Sequence, residues 1–173
     1  MLNKSLINIP NAITLCRLLL LPFFLWDVLS NRFNYALIIF AAIALSDKLD
    51  GVSARLMSQV TEFGKAFDSA VDGIVVISTF IAFNLTGKLD LIWLILAVFP
   101  TILNNISKRK IKEKFSGKMP PSTLAKIAMG MVYVGIIAIL INFEYAIFFV
   151  YLSALLGYAT MFNYLIKASR PLK

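Results

Sequence analysis

The chain has 173 residues, of which 60% are hydrophobic and only 15% charged, with a formal net charge of +8. Soluble domains are about 45–50% apolar and about 25% charged, so this composition excludes a single soluble core and makes lipid the expected solvent for most of the surface. The absence of histidine and the single cysteine, Cys16, exclude an internal disulfide, a Cys/His zinc site and a catalytic histidine. Any acid–base chemistry must fall to carboxylates, Lys, Tyr or a bound metal.

Crossing the hydrocarbon layer takes roughly 20 apolar residues in a helix. On that measure the chain reads as an all-α polytopic membrane protein of about six transmembrane helices, at approximately 12–30, 34–57, 64–86, 89–107, 121–142 and 144–167. A short amphipathic N-terminal segment precedes them. "MLNKSLINIPNAIT" lacks the layout of a cleavable signal peptide, so the first apolar run is expected to be retained. Turn chemistry at "SNRFN", "TGKLD", "MPPST" and "NFE" sets the breaks. No internal repeat is visible, and residues 1–173 read as one membrane domain. Cys16 reads as a small buried hydrophobe, Trp26 and Trp93 as interfacial anchors, and Asp27, Asp90 and Glu144 as solvated charges.

Positive charge falls on alternate segment ends: Lys4, then Arg55 and Lys65, then the loop "KRKIKEKFSGK", then Lys167, Arg170 and Lys173. The other set holds only Arg32 and Lys88. This bias predicts a plasma or inner membrane protein with both termini cytoplasmic, and it favours anionic lipid headgroups. It gives no indication of nucleic-acid binding.

Segments two and three carry "SDKLDGVSARLMSQVTEFGKAFDSAVDG". Asp47 and Asp50 are three apart and Asp68 and Asp72 four apart, so each pair shares a helix face. The intervening turn lets the two faces meet. Four converging carboxylates would repel, and an all-oxygen set of this kind suits two divalent cations, Mg²⁺ or Mn²⁺, or else Ca²⁺. Gly51, Ala54 and Gly64 allow close packing or leave room for a planar base, and Arg55 supplies a cation suited to phosphate oxygens. Metals plus Arg in a carboxylate-lined cleft read as phosphoryl-transfer equipment. A proton or ion pathway is the rival from another class. Beyond Asp72, however, "GIVVISTFIAF" offers only Ser78 and Thr79 as polar steps, which favours a site at one face.

The spacing Asp47-x2-Asp50-Gly51-x2-Ala54-Arg55-x8-Gly64-x3-Asp68-x3-Asp72 resembles the complete signature of the CDP-alcohol phosphotransferases, integral membrane enzymes of phospholipid synthesis. The resemblance implies transfer of a phosphatidyl group from CDP-diacylglycerol to an alcohol, with release of CMP. It implies that Asp47, Asp50 and Asp68 bind the metals, with Asp72 a ligand or neighbour and also the base. Gly51, Ala54, Arg55 and Gly64 would form the nucleotide and diphosphate pocket. "NIPNAITLCRLLLLPFF" is similar to the start of phosphatidylglycerophosphate and cardiolipin synthases. There Asn11, Thr14 and Arg17 would point to the donor diphosphate or an acceptor phosphate. Arg17 could equally snorkel to the interface, and Asn11 and Thr14 could cap a helix.

Lys126 in "PPSTLAK" resembles an acceptor-phosphate Lys of the glycerophosphate enzymes, or is an interfacial anchor. The chain departs from that subfamily at Ser69, at Gly73 and in "FPTILNNISKRK", where Pro, Lys and an Arg are usual. Glycerol 3-phosphate is the expected acceptor, with phosphatidylglycerol, serine or an inositol phosphate as alternatives. The family also implies a homodimer.

Overall fold

The computed structural model describes residues 9–56, 61–114 and 123–169, with the side chains of 9–10, 48–56, 62, 65, 105–114 and 167–169 outside the description. Six helices account for nearly all of it: α1 (Ile9–Leu29), α2 (Phe33–Leu56), α3 (Glu62–Leu85), α4 (Leu91–Lys114), α5 (Thr123–Leu140) and α6 (Ala146–Ser169). There is no strand among the described residues. The chain divides into two compact units, Met1–Thr86 and Gly87–Lys173, each of three helices.

In the first unit α1 packs on both α2 and α3, and each helix buries one stripe. On α1 the stripe is Asn11, Thr14, Arg17, Leu21, Phe24 and Val28, all buried, at steps of three and four residues that keep one face inward. On α2 it is Ala36, Phe40 and Ile43, and the same steps continue to Asp47. On α3, Asp68 and Asp72 lead into the buried Val75, Val76, Thr79, Phe80 and Phe83. All three stripes are therefore apolar toward one end and polar toward the other. Phe24 and Phe40 meet at the apolar end, with ring centroids 5.6 Å apart and planes tilted by 39°.

The opposite faces carry the large apolar side chains. Leu15, Leu19, Phe23 and Trp26 of α1 are exposed, as are Ile74, Ile81 and Leu85 of α3. Cys16 is exposed too, contrary to its expected burial, because it lies on this outward face and not on the Arg17 stripe. Exposed apolar faces of this extent belong in lipid. Among the described residues, four helical stretches are long and apolar enough to cross a membrane: Asn11–Leu29, Ala66–Leu85, Thr123–Leu140 and Ala146–Ile166. In α2 and α4 the apolar stretches are shorter, Phe33–Asp47 and Leu91–Asn104.

Between α1 and α2 the chain reverses through Ser30–Arg32, with Asn31 left-handed at φ 57°, a region Asn tolerates. Arg32 N donates to Asp27 O at 2.8 Å, and the Arg32 guanidinium pairs with the Asp27 carboxylate at 2.6 Å. Asp27 is thus buried and paired instead of solvated. Asp90 and Glu144 are exposed as expected.

In the second unit α6 packs on α4 and α5. Gly157 of α6 lies against Pro100 of α4, where a Cβ would stand 3.1 Å from the Pro100 Cβ. Pro100 sits inside α4, and a membrane helix tolerates such a break where neighbours pack against it. One turn further on, Asn104 Nδ2 donates to Gly157 O at 3.1 Å, fixing the same crossing. The expected basic loop at 108–118 begins as helix, since α4 runs to Lys114. Lys, Arg and Glu are good helix formers, and basic residues suit a helix C-terminus.

Neighbouring phenylalanines separate packing from lipid exposure: Phe24 is 0% exposed and Phe23 66%. Phe24→Ala should cost about 3 kcal/mol and Phe23→Ala no more than about 0.5 kcal/mol. Unfolding of the two variants in detergent micelles checks this; equal losses would contradict the inward stripe.

Candidate active site

The polar end of the first unit is organised around Arg17. An arginine in the apolar run "TLCRLLLL" cannot be left alone in a lipid-bounded interior, and its side chain is 0% exposed. Its position on the inward stripe of α1 points it at the two helices that carry carboxylates at the same level. Arg17 Nη1 donates to Asp72 Oδ1 at 2.7 Å and to Asp68 Oδ1 at 3.1 Å. Its Nη2 lies 3.4 Å from Asp47 Oδ1. One planar fork thereby ties α2 and α3 to α1, a geometry lysine's point charge could not reproduce.

The three carboxylates converge as well. Asp47, Asp68 and Asp72 each offer an oxygen, and these oxygens all lie within 4.8 Å of one another. A cation bonded at about 2.0–2.6 Å bridges oxygens up to about 4–5 Å apart, so the donor set and its spacing fit Mg²⁺ or Mn²⁺. The carboxylates are partly exposed, at 31%, 38% and 22%, while Arg17 beneath them is closed off. Among the described side chains, three carboxylates against one guanidinium leave two formal negative charges. Asp50, Gly51, Ala54 and Arg55 lie along α2, and their side chains fall outside the described residues.

Asn11 and Thr14 precede Arg17 on the same stripe and are both buried. They stand inside α1, which begins at Ile9, and so do not cap it. The start of α3 is capped instead by Thr61, whose hydroxyl accepts from Gly64 N at 2.9 Å. This satisfies one of the helix's orphan donors. α1 also comes close at Gly64: a Cβ there would stand 2.8 Å from Asn11 Oδ1 and 3.0 Å from Thr61 Oγ1. A side chain at Gly64 would therefore have to displace Asn11 or the cap. Lys126 is exposed near the start of α5, in the second unit.

Two features escaped the reading of the sequence. The "TEFG" start of α3 was open to recognition through its Ser/Thr-type N-cap signal. The pairing of Arg17 with the Asp cluster had a signal too: a buried cation needs partners, and the Asp cluster is the densest group of carboxylates in the chain. The polar residues beyond the cluster continue no path. Ser78 Oγ donates to Ile74 O at 2.7 Å and Thr79 Oγ1 to Val75 O at 2.6 Å, so both hydroxyls turn back on their own helix.

A family model described as CDP-alcohol phosphatidyltransferase matches residues 7–163. A protein of Wigglesworthia glossinidia brevipalpis named CDP-diacylglycerol–glycerol-3-phosphate 3-phosphatidyltransferase is 29% identical over 179 residues, covering 96% of this chain and 97% of its own. A Streptomyces coelicolor protein named cardiolipin synthase (CMP-forming) is 34% identical over 98 residues, 53% of this chain and 45% of its own. An Aquifex aeolicus protein with the same name as the Wigglesworthia relative is 33% identical over 81 residues, 47% of this chain and 46% of its own. The match takes in the buried Arg17, the Asp cluster and both three-helix units, and the chain belongs to the CDP-alcohol phosphatidyltransferase family.

Proposed function

We propose that the protein transfers the phosphatidyl group of CDP-diacylglycerol to glycerol 3-phosphate, releasing CMP and forming phosphatidylglycerophosphate. The observation that carries this reading is the convergence of Asp47, Asp68 and Asp72 at one end of a lipid-facing helical unit. The acceptor rests on the Wigglesworthia relative, which is similar over nearly the whole of both chains. Cardiolipin synthase is the name of other relatives, so phosphatidylglycerol is the second acceptor to test. The two units together make one domain over 1–173, supported by a family match that spans both.

Asp47, Asp50, Asp68 and Asp72 would hold Mg²⁺ or Mn²⁺. When bound, these cations neutralise the donor diphosphate and stabilise CMP as it leaves. The acceptor hydroxyl attacks the phosphorus of the phosphatidyl group, a new P–O bond forms, and the P–O bond to CMP breaks. Asp72 takes the hydroxyl proton, the role its partly open carboxylate suits in a chain without histidine. Gly51, Ala54, Arg55, Gly64, Asn11 and Thr14 are the candidates for binding the nucleotide and diphosphate. Arg17 and Lys126 are the candidates for the acceptor phosphate. The site and both termini face the cytoplasm, in keeping with the positive charges there. The working form is a homodimer.

CMP release from CDP-diacylglycerol should require Mg²⁺ or Mn²⁺, stop on adding EDTA and return when the cation is resupplied. With the cation present, Asp72→Asn should lower the rate by about 10²–10⁴-fold. Glu144→Gln, at an exposed carboxylate between α5 and α6, should stay within about twofold of wild type. Supplying glycerol 3-phosphate and phosphatidylglycerol separately identifies the acceptor. Turnover with phosphatidylglycerol alone would replace the first assignment with the second.

Gly64→Ala should lower activity about tenfold or more, because the added methyl pushes Asn11 aside. The companion Asn11→Ala removes the obstructing amide, so the double variant should lose less than the two single losses multiplied.

A further inference from the structure

Arg17 occupies the place where a site built only to bind cations would have no positive charge. Its guanidinium is closed off from solvent, and both terminal nitrogens are directed at Oδ1 atoms of the three carboxylates grouped as cation ligands. Nη1 stands at 2.7 and 3.1 Å from Asp72 and Asp68, within hydrogen-bond range, and Nη2 at 3.4 Å from Asp47. A divalent cation drawn to these carboxylates would meet a fixed positive charge a few ångströms away and would compete with it for the same side chains. Unlike a lysine amine, a guanidinium does not escape by losing its proton.

The geometry points to Arg17 as a resident counter-ion of the Asp cluster. It holds the three carboxylates together when no divalent cation is bound, and it competes with that cation for them. Arg17 is on this account a positioning residue that sets how tightly the cation is held. By keeping α1, α2 and α3 joined at their polar ends, it stabilises the cation-free protein. By opposing the incoming charge, it weakens cation binding. The inference rests on the reading of Asp47, Asp68 and Asp72 as cation ligands, and it differs from a role for Arg17 in binding a substrate phosphate.

The test uses the full chain in detergent micelles, without substrate. Mn²⁺ affinity is read by electron paramagnetic resonance of the free ion, and the thermal midpoint is measured in EDTA and in saturating Mg²⁺. Arg17→Met keeps most of the side-chain volume and removes the charge. The expected result is a lower midpoint than wild type in EDTA, a larger gain on adding Mg²⁺, and Mn²⁺ binding about tenfold tighter or more. Recovery of folded Arg17→Met only from Mg²⁺-containing buffer is the same result in stronger form.

Should that variant not fold in either buffer, Arg17→Lys decides. It retains a charge but cannot span three carboxylates, so Mn²⁺ should bind more tightly than in wild type. Unchanged or weaker Mn²⁺ binding in the deciding variant overturns the counter-ion role while leaving the cation site standing. No Mn²⁺ binding and no Mg²⁺-dependent midpoint in wild type overturns both the inference and the reading beneath it.

Discussion

A guanidinium twelve residues before the end of an apolar helix, at Leu29, has few places to go. Placed alone in a low-dielectric interior it would be prohibitively costly, and removing its partners would cost about 3–5 kcal/mol. Arg17 is therefore fixed by its need for carboxylates, and the carboxylates are fixed by their places on α2 and α3. The three-way contact sets the rotation of α1 about its axis, because Arg17 can point inward only if Leu21, Phe24 and Val28 point inward with it. The same rotation turns Leu15, Cys16, Leu19 and Phe23 outward. One polar interaction thus orders the apolar packing of the whole first unit.

The division of each stripe into a polar and an apolar end matters for function. Van der Waals packing such as the Phe24–Phe40 pair does not require water to be excluded from the opposite end. At that end the carboxylates are partly exposed while the arginine below them is not. Small residues refine the arrangement. Gly64 lets the N-terminus of α3 approach Asn11 of α1 closely, and Thr61 satisfies a backbone donor beside it. The second unit holds its helices by other means, a Pro100–Gly157 contact and an Asn104 hydrogen bond.

Much of this was legible in the residues. Six apolar runs predict six helices, with boundaries displaced by a few residues except at α4. There the basic run continues the helix, because charge density marks a topological side without breaking helical backbone. The spacing of the Asp pairs predicted their convergence, and the structure brings Asp47, Asp68 and Asp72 together. Asp50 and Arg55 belong to the same motif, but their side chains lie outside the described residues. Less legible were partnerships across the chain. Arg17 stands 51 and 55 positions from Asp68 and Asp72, and local periodicity says which face a residue takes without naming what it meets. Asp27 shows the same limit on a smaller scale: a carboxylate near a helix end looked solvated, yet the left-handed turn at Asn31 folds Arg32 back onto it.

Asp47, Asp68 and Asp72 are proposed to hold a cation above the buried Arg17. Anomalous diffraction at the manganese edge, from crystals grown with Mn²⁺, addresses this most directly. A peak within about 2.0–2.6 Å of carboxylate oxygens from all three residues, with the Arg17 side chain still enclosed beneath them, is the predicted result. A manganese peak away from these carboxylates, or none at saturating Mn²⁺, would contradict the account.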